Sequence, residues 1–182
     1  MNIAMILAGG TGSRLGADIP KQFLQVRGKP VLVYTIENFQ NNTNIDAILV
    51  VSHPDWLNEC KELASVYALD KIKWFTTGGD TFQTSVLNGV NYLRDRISRE
   101  DTVLVSFGVS PYTTDEIIND SIRVCEKYGL SFDESAKAPV IDEAFVTKAR
   151  LTARRSMYIK KPVYYDTVKS CIFSGYPMME LL

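Results

Sequence analysis

The sequence predicts an α/β fold, a three-layer sandwich in which a mostly parallel sheet is covered by helices on both faces. Three observations lead there. Short apolar runs alternate with amphipathic helical stretches. The runs are apolar almost throughout, as strands buried on both faces are, and do not alternate as a one-sided sheet would. Glycine-rich and polar segments follow the predicted strands at their carboxyl ends, the edge where such sheets bind ligands.

Taken in order, residues 2–7 (NIAMIL) are a buried strand, and residues 30–40 a helix with Pro30 in its first turn. Val31, Tyr34, Thr35 and Asn38 give that helix its spacing of threes and fours. Residues 46–52 (DAILVVS) read as a second strand and 56–67 as an amphipathic helix. A third strand covers 71–76, Gly78-Gly79-Asp80 is a turn, and a helix runs from 81 to 94. A fourth strand spans 102–105. The helix over 113–128 has Thr113 and Glu116 at capping-box spacing and Gly129 as its stop. Further on, 131–144 is acidic and irregular, and 148–161 carries six basic residues and no acidic one. The last twenty residues show no clear period.

A length of 182 residues suits one domain with a sizeable core, here taken as 1–182, with 131–170 as an arm or dimerisation segment. Hydrophobic content of 46% with 23% charged residues is that of a soluble globular protein. A net charge of −1 speaks against broad nucleic-acid binding. Cys60, Cys125 and Cys171 are widely spaced, odd in number and accompanied by a single histidine. That composition disfavours both a disulfide framework and a zinc site, and buried thiols in a reducing cytoplasm are expected. No stretch has the length of a membrane-spanning helix or the form of a signal peptide. His53, set before Pro54 at a strand end, reads as a helix-entry residue.

The chemistry concentrates in the first loop. Leu7-Ala8-Gly9-Gly10-Thr11-Gly12-Ser13-Arg14-Leu15-Gly16 follows the first strand directly and is closed by Ile19-Pro20-Lys21-Gln22-Phe23. Glycines admit a phosphate chain close to backbone N–H groups, and Arg14 and Lys21 add fixed positive charge. The loop fits neither the Walker A spacing nor the dinucleotide Gly-x-Gly-x-x-Gly spacing. A glycine-rich strand-to-helix turn bearing surface charges is the plain alternative, and the added Arg14 and Pro20-Lys21 favour a phosphate site.

On these residues the chain resembles the sugar-phosphate nucleotidyltransferases. Within them it resembles the cytidylyltransferases that act on methylerythritol 4-phosphate or ribitol 5-phosphate. The similarity rests on 7–16, Pro20-Lys21-Gln22-Phe23, Gly28-Lys29-Pro30-Val31-Leu32, 78–86 and 114–129, and so on about the first 130 residues. It implies a Rossmann-like sheet of the nucleotide-diphospho-sugar transferase type. It further implies transfer of CMP from CTP to a small polyol phosphate with release of pyrophosphate, Mg²⁺ as cofactor, and a cytoplasmic homodimer.

By position, the resemblance makes the backbone of Ala8, Gly9, Gly10, Thr11, Gly12 and Ser13 the cradle for CTP. Arg14 and Lys21 would contact its phosphates and serve as the catalytic pair. Gly79, Asp80 and Ser85 would lie against the cytosine. A tight turn for Gly79-Asp80 and a helix-surface hydroxyl for Ser85 are the plain alternatives. Residues 148–161 read as a solvated arm, or as one from which Arg154 or Arg155 reaches the phosphorylated substrate.

The chain also departs from the family pattern. Phe82 stands where members usually carry arginine. Ser106-Phe107-Gly108-Val109-Ser110-Pro111 stands in place of His-Asp-Ala-x-Arg-Pro. The aspartate that helps hold Mg²⁺ falls at Phe107 and the arginine at Ser110, and the chain ends before a late Asp…Lys element. A second expectation follows, a homologue that binds a cytidine nucleotide or a partner subunit without turnover.

Overall fold

A computed structural model of the chain describes residues 1–10, 19–98, 100–128 and 171–174. Its sheet is built from β1 (Asn2–Ala8), β4 (Ala47–Ser52), β5 (Ile72–Thr77), β6 (Thr102–Phe107) and β7 (Cys171–Ser174). The strands stand in the order β5-β4-β1-β6-β7, and every pairing is parallel. A two-residue hairpin, β2 (Gln25–Val26) and β3 (Lys29–Pro30), stands apart. Its turn residues Arg27 and Gly28 have φ of 51° and 78°, the positive values that a type I′ connection needs.

The apolar runs of β1, β4 and β6 form strands that are covered on both faces. β1 pairs with β4 (Ile3↔Ala47 to Ala8↔Ser52) and with β6 (Asn2↔Thr102 to Leu7↔Phe107). The even-numbered β1 residues Ala4, Ile6 and Ala8 face helices α1 (Val31–Asn41), α2 (Leu57–Val66) and α4 (Asp115–Tyr128). The odd-numbered Ile3, Met5 and Leu7 face α3 (Phe82–Leu93). These are the three expected layers. Each Leu, Ile, Val or Phe side chain buried in them contributes about 1.5–3 kcal/mol of transfer free energy. The passages β1–β4–β5 carry α1 and α2 on one face and β5–β6 carries α3 on the other, as same-handed crossovers require.

Several details differ from expectation. The stripe that α1 buries is Leu32, Thr35, Ile36 and Phe39, not one running through Val31, Tyr34 and Asn38, because the former row faces the sheet. Pro30 is the residue before the helix, extended at φ −60° and ψ 143°. β5 is the edge of the sheet and only half-buried, with Lys73 exposed. The cap of α4 is Thr114, whose Oγ1 accepts the Ile117 N–H at 3.4 Å. The Thr113 hydroxyl instead donates to the Ser110 carbonyl at 3.0 Å, inside the preceding turn. β7 was not predicted: four residues are too few to show a period.

Cys60 and Cys125 are buried thiols as expected, while the side chain of Cys171 lies outside the described residues. No helix among the described residues is long and apolar enough to cross a membrane.

Candidate active site

The strand order reverses at β1. The connections from β1 lead outward through β4 to β5, and the chain then returns to place β6 on the opposite side of β1. A sheet of this kind opens a crevice at such a switch point, beyond the carboxyl ends of the strands. A cleft of about 510 Å³ lies there. Leu7, Gly9 and Gly10 line it from the end of β1, and Phe107 and Val109 from the end of β6. His53 and Pro54 contribute from β4, and residues 78–81 from β5. The described start of the first loop, the 78–81 turn and the segment after β6 thus line one edge of the sheet. The Gly108 N–H donates to the Leu7 carbonyl at 2.8 Å and ties the β1 and β6 ends together.

Gly9 and Gly10 hold a telling position. Among the described residues a Cβ built on Gly9 would come no nearer than 3.7 Å to a neighbour, and one on Gly10 no nearer than 3.9 Å, to Lys21 Cε. Neither has the positive φ that favours glycine. The protein's own packing would accept a side chain at both, so what the missing Cβ atoms leave open is the cleft.

Lys21 sits on a single 3-10 turn, Lys21–Phe23, that follows Pro20. Phe23 anchors the turn in the core and stacks on Trp56, with ring centroids 5.0 Å apart. Lys21 itself is exposed and lines the cleft, and it has no ion-pair partner among the described residues. Lys29 is committed elsewhere: its Nζ donates to both Glu37 oxygens at 2.7 and 2.8 Å. That bond raises its pKa against the opposing effect of burial.

Opposite the lysine, the Gly78-Gly79 segment lies against the first turn of α3. Here glycine is required by close approach and not by φ, so a tight turn is not its reason. A Cβ on Gly79 would fall 2.4 Å from Thr84 Oγ1, and one on Gly78 would fall 2.7 Å from Ser85 Oγ. Thr81 and Thr84 form a reciprocal capping box at this helix start. The Ser85 hydroxyl accepts the Gly79 N–H and donates to the Gly79 carbonyl, both at 3.1 Å. Its single proton is thus engaged, and Ser85 shapes the loop. Asp80 is exposed and is the one carboxylate among the described residues lining the cleft.

Gly9, Gly10, Lys21, Gly79, Asp80 and Ser85 are thus gathered at one edge, whereas Ala8 is buried in the core and its carbonyl accepts from Gln22 Nε2. Thr11, Gly12, Ser13, Arg14, Arg154 and Arg155 lie outside the described residues, as do Gly129 and the 131–170 segment. His53 is a helix-entry residue as predicted, its Nδ1 accepting the Asp55 N–H at 3.3 Å. It also lines the cleft, which a single histidine before a proline does not announce.

Phe82 and Phe107 meet across the cleft wall, with ring centroids 5.3 Å apart and planes tilted by 36°. Ser110 is buried in the turn before α4, where its carbonyl accepts the Thr113 N–H at 3.2 Å. Among the described residues no three His, Cys, Asp or Glu side chains gather as a cation site would require.

Comparison with known proteins gives a consistent picture. The family model described as 2-C-methyl-D-erythritol 4-phosphate cytidylyltransferase (IspD) matches residues 2–144. The ribitol-5-phosphate cytidylyltransferase of Lacticaseibacillus paracasei is 32% identical over 155 residues, which are 85% of this chain and 65% of that one. The enzyme of the same description from Vibrio parahaemolyticus is 40% identical over 130 residues, 71% of this chain and 55% of its own length. This chain therefore spans between about half and two thirds of those two curated relatives. The 2-C-methyl-D-erythritol 4-phosphate cytidylyltransferase of Clostridium novyi is 40% identical over 176 residues, 93% of this chain and 74% of that one.

Among solved structures, the 4-diphosphocytidyl-2C-methyl-D-erythritol synthase of Anaerococcus prevotii superposes with a TM-score of 0.58 at 19% identity. It covers 97% of this chain and 88% of that one. The 2-C-methyl-D-erythritol 4-phosphate cytidylyltransferase of Francisella tularensis gives 0.55 at 20% identity, covering 96% and 90%. At those identities the likeness speaks for the fold.

Proposed function

This chain belongs to the 2-C-methyl-D-erythritol 4-phosphate cytidylyltransferase family, and on that premise we propose that its cleft binds CTP and transfers CMP to a small polyol phosphate, releasing pyrophosphate. One observation carries the reading. Two glycines at which a Cβ would meet only ordinary van der Waals contacts, at 3.7 and 3.9 Å, line a switch-point cleft beside a lysine that has no ion-pair partner among the described residues. A triphosphate is the ligand that uses both backbone approach and a point charge.

In this reading a phosphate oxygen of the polyol phosphate attacks the α-phosphorus of CTP in line. The bond to the β-phosphate oxygen breaks and pyrophosphate leaves. No covalent enzyme intermediate is needed, so catalysis consists of positioning and charge stabilisation. Lys21 supplies charge to the phosphates, joined by Arg14. The Gly78-Gly79 backbone, locked by Ser85, and Asp80 border the base. Arg154 or Arg155 takes the phosphate of the polyol, in a homodimer. The acceptor is ribitol 5-phosphate or methylerythritol 4-phosphate, since relatives of both descriptions reach 40% identity.

The family implies a divalent metal. A hard cation asks for oxygen ligands. The described lining offers the Asp80 carboxylate and, facing the cleft from β6, a phenyl ring at Phe107. These described residues do not by themselves fit a metal site, and the charge they bring to the phosphates is that of Lys21.

The same Phe82–Phe107 contact favours a second reading, binding of a cytidine nucleotide without turnover. Calorimetry with CTP, paired with a pyrophosphate-release assay on both polyol phosphates, decides between them. Binding with release supports transfer, and binding without release supports the second reading. Absence of CTP binding refutes both.

A further inference from the structure

Gln22 is buried in the wall of the cleft, 2% exposed, in a position that no part of the proposed chemistry accounts for. Its Nε2 donates to the Ala8 carbonyl at 2.6 Å and to the Gly10 carbonyl at 2.9 Å. An amide nitrogen has two hydrogens, and both are spent on the end of β1. Carbonyls two residues apart that point to one side keep the chain extended between them. In a planar trans peptide the N–H of the next residue points away from the carbonyl. Gripping the Ala8 carbonyl therefore fixes the Gly9 N–H on the side away from Gln22, and gripping the Gly10 carbonyl holds the segment between them.

The neighbouring residue in the chain is Lys21. Its Cε lies 3.9 Å from the Cβ position of Gly10, so adjacent residues of one 3-10 turn hold the same glycine in two ways. The turn cannot drift, because Phe23 is buried and stacked on Trp56 and the Phe23 N–H donates to the Pro20 carbonyl at 2.9 Å. We propose that Gln22 is a positioning residue that holds the glycine loop in register with the Lys21 ammonium, so that backbone and charge meet one phosphate chain together. The inference deepens the CTP reading and rests on it for its functional part.

The test compares Gln22→Leu and Gln22→Glu with the unmodified full chain. CTP affinity, KM and kcat, thermal unfolding, and amide hydrogen exchange at Gly9 and Gly10 are measured for each. Both variants bind CTP at least about tenfold more weakly, with raised KM and faster exchange at the two glycines. Gln22→Glu keeps the shape but donates only when protonated, so its affinity recovers as pH is lowered relative to the unmodified chain. It also carries the test if Gln22→Leu does not fold. In a Lys21→Ala background the Gln22 substitutions cost less than in the unmodified chain, because the partner being positioned is gone. A merely structural glutamine would lower the unfolding temperature and the active fraction while leaving KM where it was. Unchanged KM and exchange overturn the inference. If the unmodified chain itself binds no CTP, the nucleotide reading falls, and the exchange rates at Gly9 and Gly10 decide the strut separately.

Discussion

Substituting alanine for Gly10 and for Gly79 should have opposite consequences, and the contrast tests the cleft directly. At Gly79 the new methyl would stand 2.4 Å from Thr84 Oγ1 and 2.6 Å from Thr84 Cβ. Thr84 cannot swing aside cheaply, since its Oγ1 accepts the Thr81 N–H at 2.9 Å and donates to the Thr81 carbonyl at 3.0 Å. Overpacking of about 1–3 kcal/mol and loss of a cap worth about 1 kcal/mol together give roughly 2–4 kcal/mol. For a chain of this length that lowers Tm by roughly 4–16 °C. At Gly10 the methyl meets nothing closer than 3.9 Å among the described residues. Without a positive φ to oppose it, alanine there restricts the unfolded chain and stabilises by about 0.4–1 kcal/mol. The same methyl enters the space a triphosphate would use, at a cost of about 1–3 kcal/mol, or roughly 5- to 150-fold in Kd. Scanning calorimetry reads the first effect and titration calorimetry with CTP the second. Gly10→Ala that binds CTP like the unmodified chain would refute the cradle, whatever happens to Gly79→Ala.

Other outcomes follow from the same geometry. Lys21→Ala should lower kcat/KM by about a hundredfold or more, the scale of one lost charge-stabilising donor, with Tm unchanged because the side chain is exposed; steady-state pyrophosphate release checks it. Phe23→Ala removes a buried ring from the turn that carries Lys21 and should cost about 3–5 kcal/mol, read by urea unfolding, with CTP affinity falling in parallel. Burial pushes the Asp101 carboxyl up, but the N-terminal ammonium and the Ser98 N–H, at 2.8 Å, outweigh it and hold its pKa below the ordinary 3.8. A depressed carboxyl adds stability that is present above the unfolded pKa and is lost as pH falls through the folded one. The stability gap between the unmodified chain and Asp101→Asn should therefore close in acid, as followed by urea unfolding across pH.

Much of the fold was legible because its signals are local. DAILVVS reads as a buried strand, and the apolar run from Thr102 to Val105 says the same of β6, which the structure extends to Phe107. Boundaries and faces were less legible. The stripe through Val31 and Tyr34 has helical spacing as good as the one through Leu32 and Phe39, and only contact with the sheet selects the latter. Lys21 stood out by its charge beside glycines, whereas Gln22 did not. An amide is ordinary in sequence, and its worth lies in two carbonyls 14 and 12 residues away.

By itself the sequence determined the layered α/β plan, the glycine loop after the first strand and the basic residues near it, since apolar periodicity and glycine spacing are written along the chain. The tertiary structure alone decided that β1 is the switch point, and that Gly79 is glycine because Thr84 crowds it. It alone placed Phe82 against Phe107, and let Gln22 bind the loop that Lys21 faces. Each of these depends on residues distant in sequence meeting across packed layers, which local pattern does not encode.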